Sequence, residues 1–80
     1  MKIYNYKGRY NISGENVKHL REARKLSQEQ LATLMQLKDV QMSQKAISRL
    51  ESGVRIITDY ELMILAKVLN VDVESLLPKD

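Results

Sequence analysis

Residues 26–32 of the chain read Leu-Ser-Gln-Glu-Gln-Leu-Ala, and this stretch decides the fold because it marks the beginning of a helix. Ser27 is suited to cap the first turn, and Gln30 completes a capping box because its side chain can return to the Ser27 backbone. Leucines before the cap and within the helix have the spacing of a hydrophobic staple. The stretch therefore predicts a helix over about residues 28–36.

Similar signals lie on both sides of this helix. Ser43 can cap a following helix, and Gly53 can end it because glycine accepts the left-handed conformation common after a helix. Pro78 stops the last segment, since proline cannot continue the hydrogen-bond ladder. Further candidate caps are Ser13, Thr58 or Asp59, and Asp72. The other helices are expected over about residues 14–25, 44–52, 59–69 and 73–77. The sequence predicts an all-α fold, a compact bundle of five short helices.

The segments outside these helices are assigned by their lack of helical period. Residues 1–12 mix polar, aromatic and basic side chains, which predicts a short N-terminal arm before a domain over residues 13–77. Residues 37–42 are expected to form a connector, because their apolar positions show no decisive periodicity.

Composition limits the classes of function. The 80 residues form at most one domain, which is too small for a sheltered catalytic cleft, and we expect neither an enzyme nor a cofactor. Cysteine is absent and His19 is a lone histidine, which argues against a metal site. No apolar run approaches the ~20 residues of a membrane span and no signal-peptide pattern is seen, so we expect a cytoplasmic protein. The net charge of +3 permits nucleic-acid binding without demonstrating it.

The helix expected over residues 44–52 has one polar side. Ile47 and Leu50 would face inward, and the outward set comprises Gln44, Lys45, Ser48 and Arg49. Such side chains can bond to base edges in a DNA major groove, which admits one helix. An ordinary solvated helix face is the alternative explanation of the same pattern.

Three runs of sequence together resemble a known family. Residues 26–32 (LSQEQLA), 47–53 (ISRLESG) and 65–71 (LAKVLNV) occur in the order found in the Cro/CI-type, or XRE, helix-turn-helix family, and the resemblance covers residues 14–77. It implies a lambda-repressor-like DNA-binding domain. The implied function is a sequence-specific transcriptional regulator that binds double-stranded DNA and reads the major groove with its third helix. We expect it to bind as a homodimer, because one helix reads only a few base pairs.

The resemblance also implies roles for individual residues. The base-contacting positions would be Gln44, Lys45 and Arg49, together with Ser48. The phosphate-contacting positions would be Gln28 and Arg55. Ser43 is a further candidate, and so is Lys38 because of the long connection in which it lies. Arg21 and Glu51 match a pair that forms a structural salt bridge in several members. The connection over residues 33–46 is longer than is usual in the family, so either helix two is extended or the turn is an enlarged loop.

The helix expected over residues 59–69 carries a second apolar stripe that the resemblance does not explain. The stripe consists of Tyr60, Ile64 and Val68. It would be covered by a second subunit, by the N-terminal arm through Ile3, Tyr4, Tyr6 and Tyr10, or by internal packing against Leu76 and Leu77.

One other class of function uses the same fold. An antitoxin or adaptor would bind a protein partner, such as a toxin or another regulator, through the apolar stripe. Repression by promoter occupancy is the expected mechanism for a DNA-binding protein here, because 80 residues leave no room for a separate effector domain.

Overall fold

Four α-helices and one 3-10 turn form the part of the chain that the computed structural model describes, residues 5–79. The elements are α1 (Gly14–Ala23), α2 (Gln28–Leu37), α3 (Gln44–Ser52), α4 (Asp59–Leu69) and a 3-10 turn (Val73–Leu76). Within these residues the only extended pairing is one antiparallel bridge between Tyr6 and Arg9. The fold is therefore all-helical, as the sequence predicts, and α3 has the predicted bounds.

Three helices begin with the side-chain caps that the sequence indicates. The Ser27 hydroxyl accepts a hydrogen bond from the Gln30 amide at 3.0 Å, and the Gln30 side chain accepts from the Ser27 amide. The Ser43 hydroxyl caps α3 by accepting from the Ala46 amide, and Thr58 caps α4 within a second capping box. These caps satisfy amides that would otherwise lack a partner within the helix.

The first helix begins differently from the expectation. The Ser13 side chain makes no capping hydrogen bond, and Asn11 Oδ1 instead accepts from the Gly14 amide at 2.7 Å. Asparagine is suited to this role because its short side chain reaches a backbone amide a few residues along.

A residue with positive φ follows each of the four α-helices within two positions. These residues are Lys25, Asp39, Gly53 and Asn70. At each end, this residue and its successor donate their backbone amides to carbonyls of the last helical turn, which is the Schellman arrangement. The conformation of Lys25 explains why α1 ends at Ala23, two residues before its expected end.

The fifth short helix, expected over residues 73–77, is a single 3-10 turn over Val73–Leu76. The Asp72 side chain makes no capping hydrogen bond, and the backbone of Leu77 is already extended, with φ −95° and ψ 140°. Pro78 follows immediately and prevents the segment from lengthening.

One core joins these elements. Its largest fully buried side chains are Val17, Leu31, Met35, Ile47, Leu50, Leu65, Leu69 and Leu76. The connection between α2 and α3, residues 38–43, contributes Val40 and Met42, which are also buried. The long connection is therefore a loop anchored in the core, and it fixes α3 against α2 despite its length. Within residues 5–79, no helix has both the length and the apolar character needed to cross a bilayer.

Helix α1 approaches α3 closely at Gly14. A Cβ atom on this residue would lie 2.1 Å from the Leu50 carbonyl oxygen, a distance that real Cβ contacts do not show. Because glycine lacks this atom, the beginning of α1 can contact the last turn of α3.

Candidate nucleic-acid interface

Helix α3 presents a polar face to solvent and an apolar face to the core. Ile47 and Leu50 are fully buried, whereas Gln44, Lys45 and Arg49 are exposed and Ser48 is half-buried. The only acidic residue of α3, Glu51, is buried. The exposed face of the helix therefore carries positive charge and hydrogen-bond donors without a negative charge of its own.

A shallow depression runs along this face. Its lining residues are Ser43, Lys45, Ala46, Arg49, Val54 and Arg55. Four of these belong to the residues for which the sequence predicts DNA contacts, and none of the six carries a carboxylate. Neither Lys45 nor Arg49 has an ion-pair partner among residues 5–79. The structure thus brings three basic side chains to one surface that a polyanion can reach.

A hydrogen-bonded network lies beside the depression and joins three helices. Gln44 donates its side-chain amide to Gln28 Oε1, and Gln28 Nε2 donates to Glu51 Oε1 at 3.0 Å. Arg21 completes the network with hydrogen bonds to both oxygens of Glu51, at 2.6 and 3.1 Å. The first side chain of the exposed α3 face is therefore oriented by residues of α1 and α2.

The charges inside this network compensate one another. The hydrogen bond to Glu51 raises the pKa of the Arg21 guanidinium, although burial acts in the opposite direction. Arg21 also donates to the Leu26 carbonyl at 2.7 Å, so its donors serve both an ion pair and the end of α1. The network has no net charge to offer, and it acts by fixing geometry.

Arg55 lies at the edge of the depression and forms an ion pair with Glu61. Its guanidinium donates to both carboxylate oxygens of Glu61, at 3.0 and 2.9 Å, and to the Ile56 carbonyl. Burial alone would raise the pKa of Glu61, but hydrogen bonds from Arg55 and from the Thr58 amide outweigh it, and the pKa is lowered. The charge of Arg55 is thus largely neutralised, and its contact to phosphate stays a prediction.

Four residues with predicted DNA contacts do not line the depression, namely Gln44 and Ser48 of α3 together with Gln28 and Lys38. Lys38 is exposed at the C-terminal end of α2 and does not line the depression. The side chain of Gln28 is hydrogen-bonded to Gln44 and Glu51. The capping hydrogen bonds of α2 use only the backbone amides of Ser27 and Gln30. Backbone amides at that helix end stay available in the positive end of the helix dipole.

The apolar stripe of α4 is only partly exposed. Ile64 and Val68 are half-buried and pack against the core cluster that includes Leu76, whereas Tyr60 is 57% exposed. Met63 lies on the same helix and is 46% exposed. Ile3 and Tyr4, which were predicted as possible covers of the stripe, lie outside the described residues.

Sequence reasoning missed several contacts that α3 makes with distant parts of the chain. The amide pair between Gln28 and Gln44 was not foreseen, nor were the contacts of Arg9 and Asn11 with the C-terminal end of α3. A local signal existed only for Asn11, which stands three residues before the start of α1 where a capping side chain is common. Among residues 5–79 no group of three or more potential metal ligands was found.

Comparison with known proteins gives one positive result. A family model described as Helix-turn-helix matches residues 17–76, which is most of the chain and includes α2, α3 and α4. Neither the curated proteins nor the solved structures gave a match. The family match agrees with the all-helical fold of the matched residues that the structure describes. The chain belongs to the helix-turn-helix family of the Cro/CI, or XRE, type.

Proposed function

We propose that the protein is a sequence-specific regulator that binds double-stranded DNA and reads the major groove with α3. The observation that carries the proposal is the exposed α3 face, where Gln44, Lys45 and Arg49 project beside a depression lined by basic residues and free of carboxylates. Glutamine can bond adenine bidentately, and arginine or lysine can donate to guanine acceptors. In this proposal the domain binds DNA in the lambda-repressor-like manner, with α3 as its base-reading helix.

The two ends of the interface have different roles in the proposal. Ser43 and the first turn of α2 would contact the DNA backbone, because amides at a helix N-terminus favour phosphate. Lys38 and Arg55 would add charge at the edges, and Arg55 would do so only by sharing its guanidinium with Glu61. Base reading would be concentrated on Gln44, Lys45, Ser48 and Arg49.

The proposal includes binding as a homodimer and repression by promoter occupancy. One helix reads only a few base pairs, so two copies on half-sites about one helical turn apart would supply the affinity that one copy lacks. The exposed Tyr60 and Met63 of α4 are the side chains we propose for the subunit contact. Sedimentation of the free protein and of its DNA complex tests this step, with Tyr60→Ser plus Met63→Ser as the variant and Leu37→Ser, an exposed leucine of α2, as control.

The decisive experiment is the selection of bound sequences from random duplexes. We expect one preferred site, with affinity falling as salt concentration rises because phosphate contacts release counterions. If Arg49 reads a guanine, Arg49→Ala should cost about 1–3 kcal/mol of binding free energy at one base pair and relax the preference there. Lys67→Ala on α4 removes the same charge away from the depression and should leave the preference unchanged.

Two results would count against the proposal. Failure of the purified protein to bind any duplex at low salt would exclude DNA binding. A uniform loss across sequences in Arg49→Ala would make Arg49 a phosphate contact and remove it from base reading.

A further inference from the structure

The segment before the first helix reaches across the molecule to the C-terminal end of α3. The backbone amide of Tyr10 donates to the Gly53 carbonyl at 2.7 Å, and Tyr6 and Arg9 pair with each other across a tight turn. Residues 5–12 precede the region matched by the family model, which begins at residue 17. This segment is therefore an addition to the helix-turn-helix core, and it contacts the one helix proposed to read DNA.

Arg9 supplies a positive charge to the end of α3. Its guanidinium donates to the Glu51 carbonyl at 3.1 Å and to the Ser52 carbonyl at 3.4 Å. The last carbonyls of a helix lack partners within the helix and carry the negative end of its dipole, so a cation is favoured there. Gly53 leaves room for this contact, because a Cβ on it would lie 2.5 Å from Arg9 Cζ.

Asn11 joins three parts of the fold through one side chain. Nδ2 donates to the Leu50 carbonyl at 2.9 Å and to the Arg55 carbonyl at 2.7 Å, while Oδ1 accepts from the Gly14 amide. The end of α3, the loop after it and the beginning of α1 are thereby bonded to one planar amide group. These contacts use both side-chain N–H donors of Asn11 and one of the two lone pairs of Oδ1.

The two ends of α3 are therefore fixed by different devices. The N-terminal end is fixed by the Ser43 cap and the pair between Gln44 and Gln28, and the C-terminal end by Arg9 and Asn11. A helix that must place its side chains against base edges needs them held within about 0.5 Å and 10–20°, because bidentate hydrogen bonds are directional.

We propose that Arg9 and Asn11 are positioning residues for DNA recognition, which set the angle of α3 from its C-terminal end without touching DNA themselves. The inference rests on the proposed function. Its consequence is that weakening this clamp, defined as the contacts of Arg9 and Asn11 with α3, reduces selectivity more than general affinity for duplex DNA.

The sharpest variant is Asn11→Asp. The aspartate keeps the oxygen that accepts from the Gly14 amide, but it loses the donor that binds the Leu50 and Arg55 carbonyls. The matched control is Asn16→Asp on α1, which makes the same change of charge at a half-buried asparagine with no side-chain hydrogen bond among residues 5–79. Arg9→Gln is the second variant, and Arg9→Lys is its conservative partner because it restores the cation.

The measurement is the dissociation constant for the selected operator and for an unrelated duplex, at a temperature where circular dichroism shows every variant fully folded. We expect Asn11→Asp and Arg9→Gln to weaken operator binding about tenfold relative to the unrelated duplex, a factor equivalent to about 1.4 kcal/mol. Arg9→Lys should recover part of this loss, and Asn16→Asp should bind as the wild type apart from a shift common to both duplexes.

The outcomes separate this inference from the proposed function. If the wild type binds an operator and both clamp variants keep its selectivity while folded, the clamp has no positioning role. An equal loss on both duplexes in Arg9→Gln, with a reduced salt dependence, would make Arg9 a phosphate contact and also overturn the inference. If the wild type binds no duplex, the proposed function itself fails. Should Asn11→Asp fail to fold, Arg9→Gln alone decides.

Discussion

Arg21 Nε and Glu51 Oε2 are 2.6 Å apart in a pair whose side chains are 9% and 3% exposed, and the pair links α1 to α3 beneath the exposed polar face of α3. Glu51 is shared with Gln28, so the same carboxylate also orients the amide that holds Gln44. The pair therefore connects the stability of the core with the geometry of the proposed DNA interface.

The first prediction concerns the non-additivity of this pair. Arg21→Met and Glu51→Leu should each lower the free energy of unfolding by about 3–5 kcal/mol, because each leaves a buried charge without its partner. The double variant should cost much less than the sum of the two, since it leaves no unpaired charge. Urea denaturation of the four proteins measures the cycle. Costs that simply add would show that the two side chains act independently.

The second prediction separates lack of space from backbone conformation at two glycines. Gly14→Ala should destabilise the fold by about 3 kcal/mol, because the new methyl group would collide with the Leu50 carbonyl and neither backbone can yield easily. Gly8→Ala is the control, since Gly8 has φ +85° and open space around its Cβ position. It should cost only about 1 kcal/mol, the price of the left-handed conformation. Thermal and urea unfolding compare the two, and equal losses would refute the close approach of α1 to α3.

Local sequence predicts the helix starts well because their determinants are close in the chain. Ser27 and Thr58 each accept a hydrogen bond from the amide three positions later, so the sequence motif itself contains both partners of the contact. The ends of α1 and α2 were harder to predict. Lys25 and Asp39 adopt a conformation usually reserved for glycine or asparagine, while the apolar residues that follow them, Leu26 and Val40, pack back toward the core. At these two positions, burial of the following apolar residue outweighs the preference of lysine and aspartate for negative φ.

The candidate site likewise contains features that local sequence predicts and features that it does not. The exposed face of α3 follows from helical period alone, since Ile47 and Leu50 must be buried. The partners of that helix do not, because Gln28 and Gln44 are 16 residues apart and Asn11 and Leu50 are 39 apart. Such contacts depend on how helices are arranged in space, and no spacing in the sequence encodes them.

The third prediction uses the strained residue at the end of α2. Asp39 is exposed with φ 64°, and replacing it by glycine removes a conformational cost of about 1–2 kcal/mol while adding flexibility to the unfolded chain. Asp39→Gly should therefore raise the free energy of unfolding by about 0.5–1 kcal/mol. Asp59→Gly provides the contrast, because Asp59 lies in the first turn of α4 and glycine should destabilise a helix there. Loss of stability in Asp39→Gly would mean that the side chain itself stabilises the connection.

The fourth prediction concerns the dependence of stability on pH through Glu61. The folded protein lowers the pKa of this carboxyl below its ordinary value, whereas in the unfolded chain it titrates near about 4.3. A group with a lowered folded pKa stabilises the fold fully above its unfolded pKa, and the contribution is lost as the pH falls through the folded pKa. The free energy of unfolding should therefore decline below about pH 4.3. In Glu61→Gln the free energy of unfolding should be lower at neutral pH by about 1–3 kcal/mol, through loss of the charged hydrogen bonds to Arg55, and it should decline less in acid.

The control for this prediction is Glu29→Gln, at an exposed glutamate of α2 without an ion-pair partner among residues 5–79. This variant should keep the wild-type dependence of stability on pH. Urea denaturation at several pH values gives the three curves, and an acid decline in Glu61→Gln as steep as that of the wild type would show that other carboxylates control the acid stability.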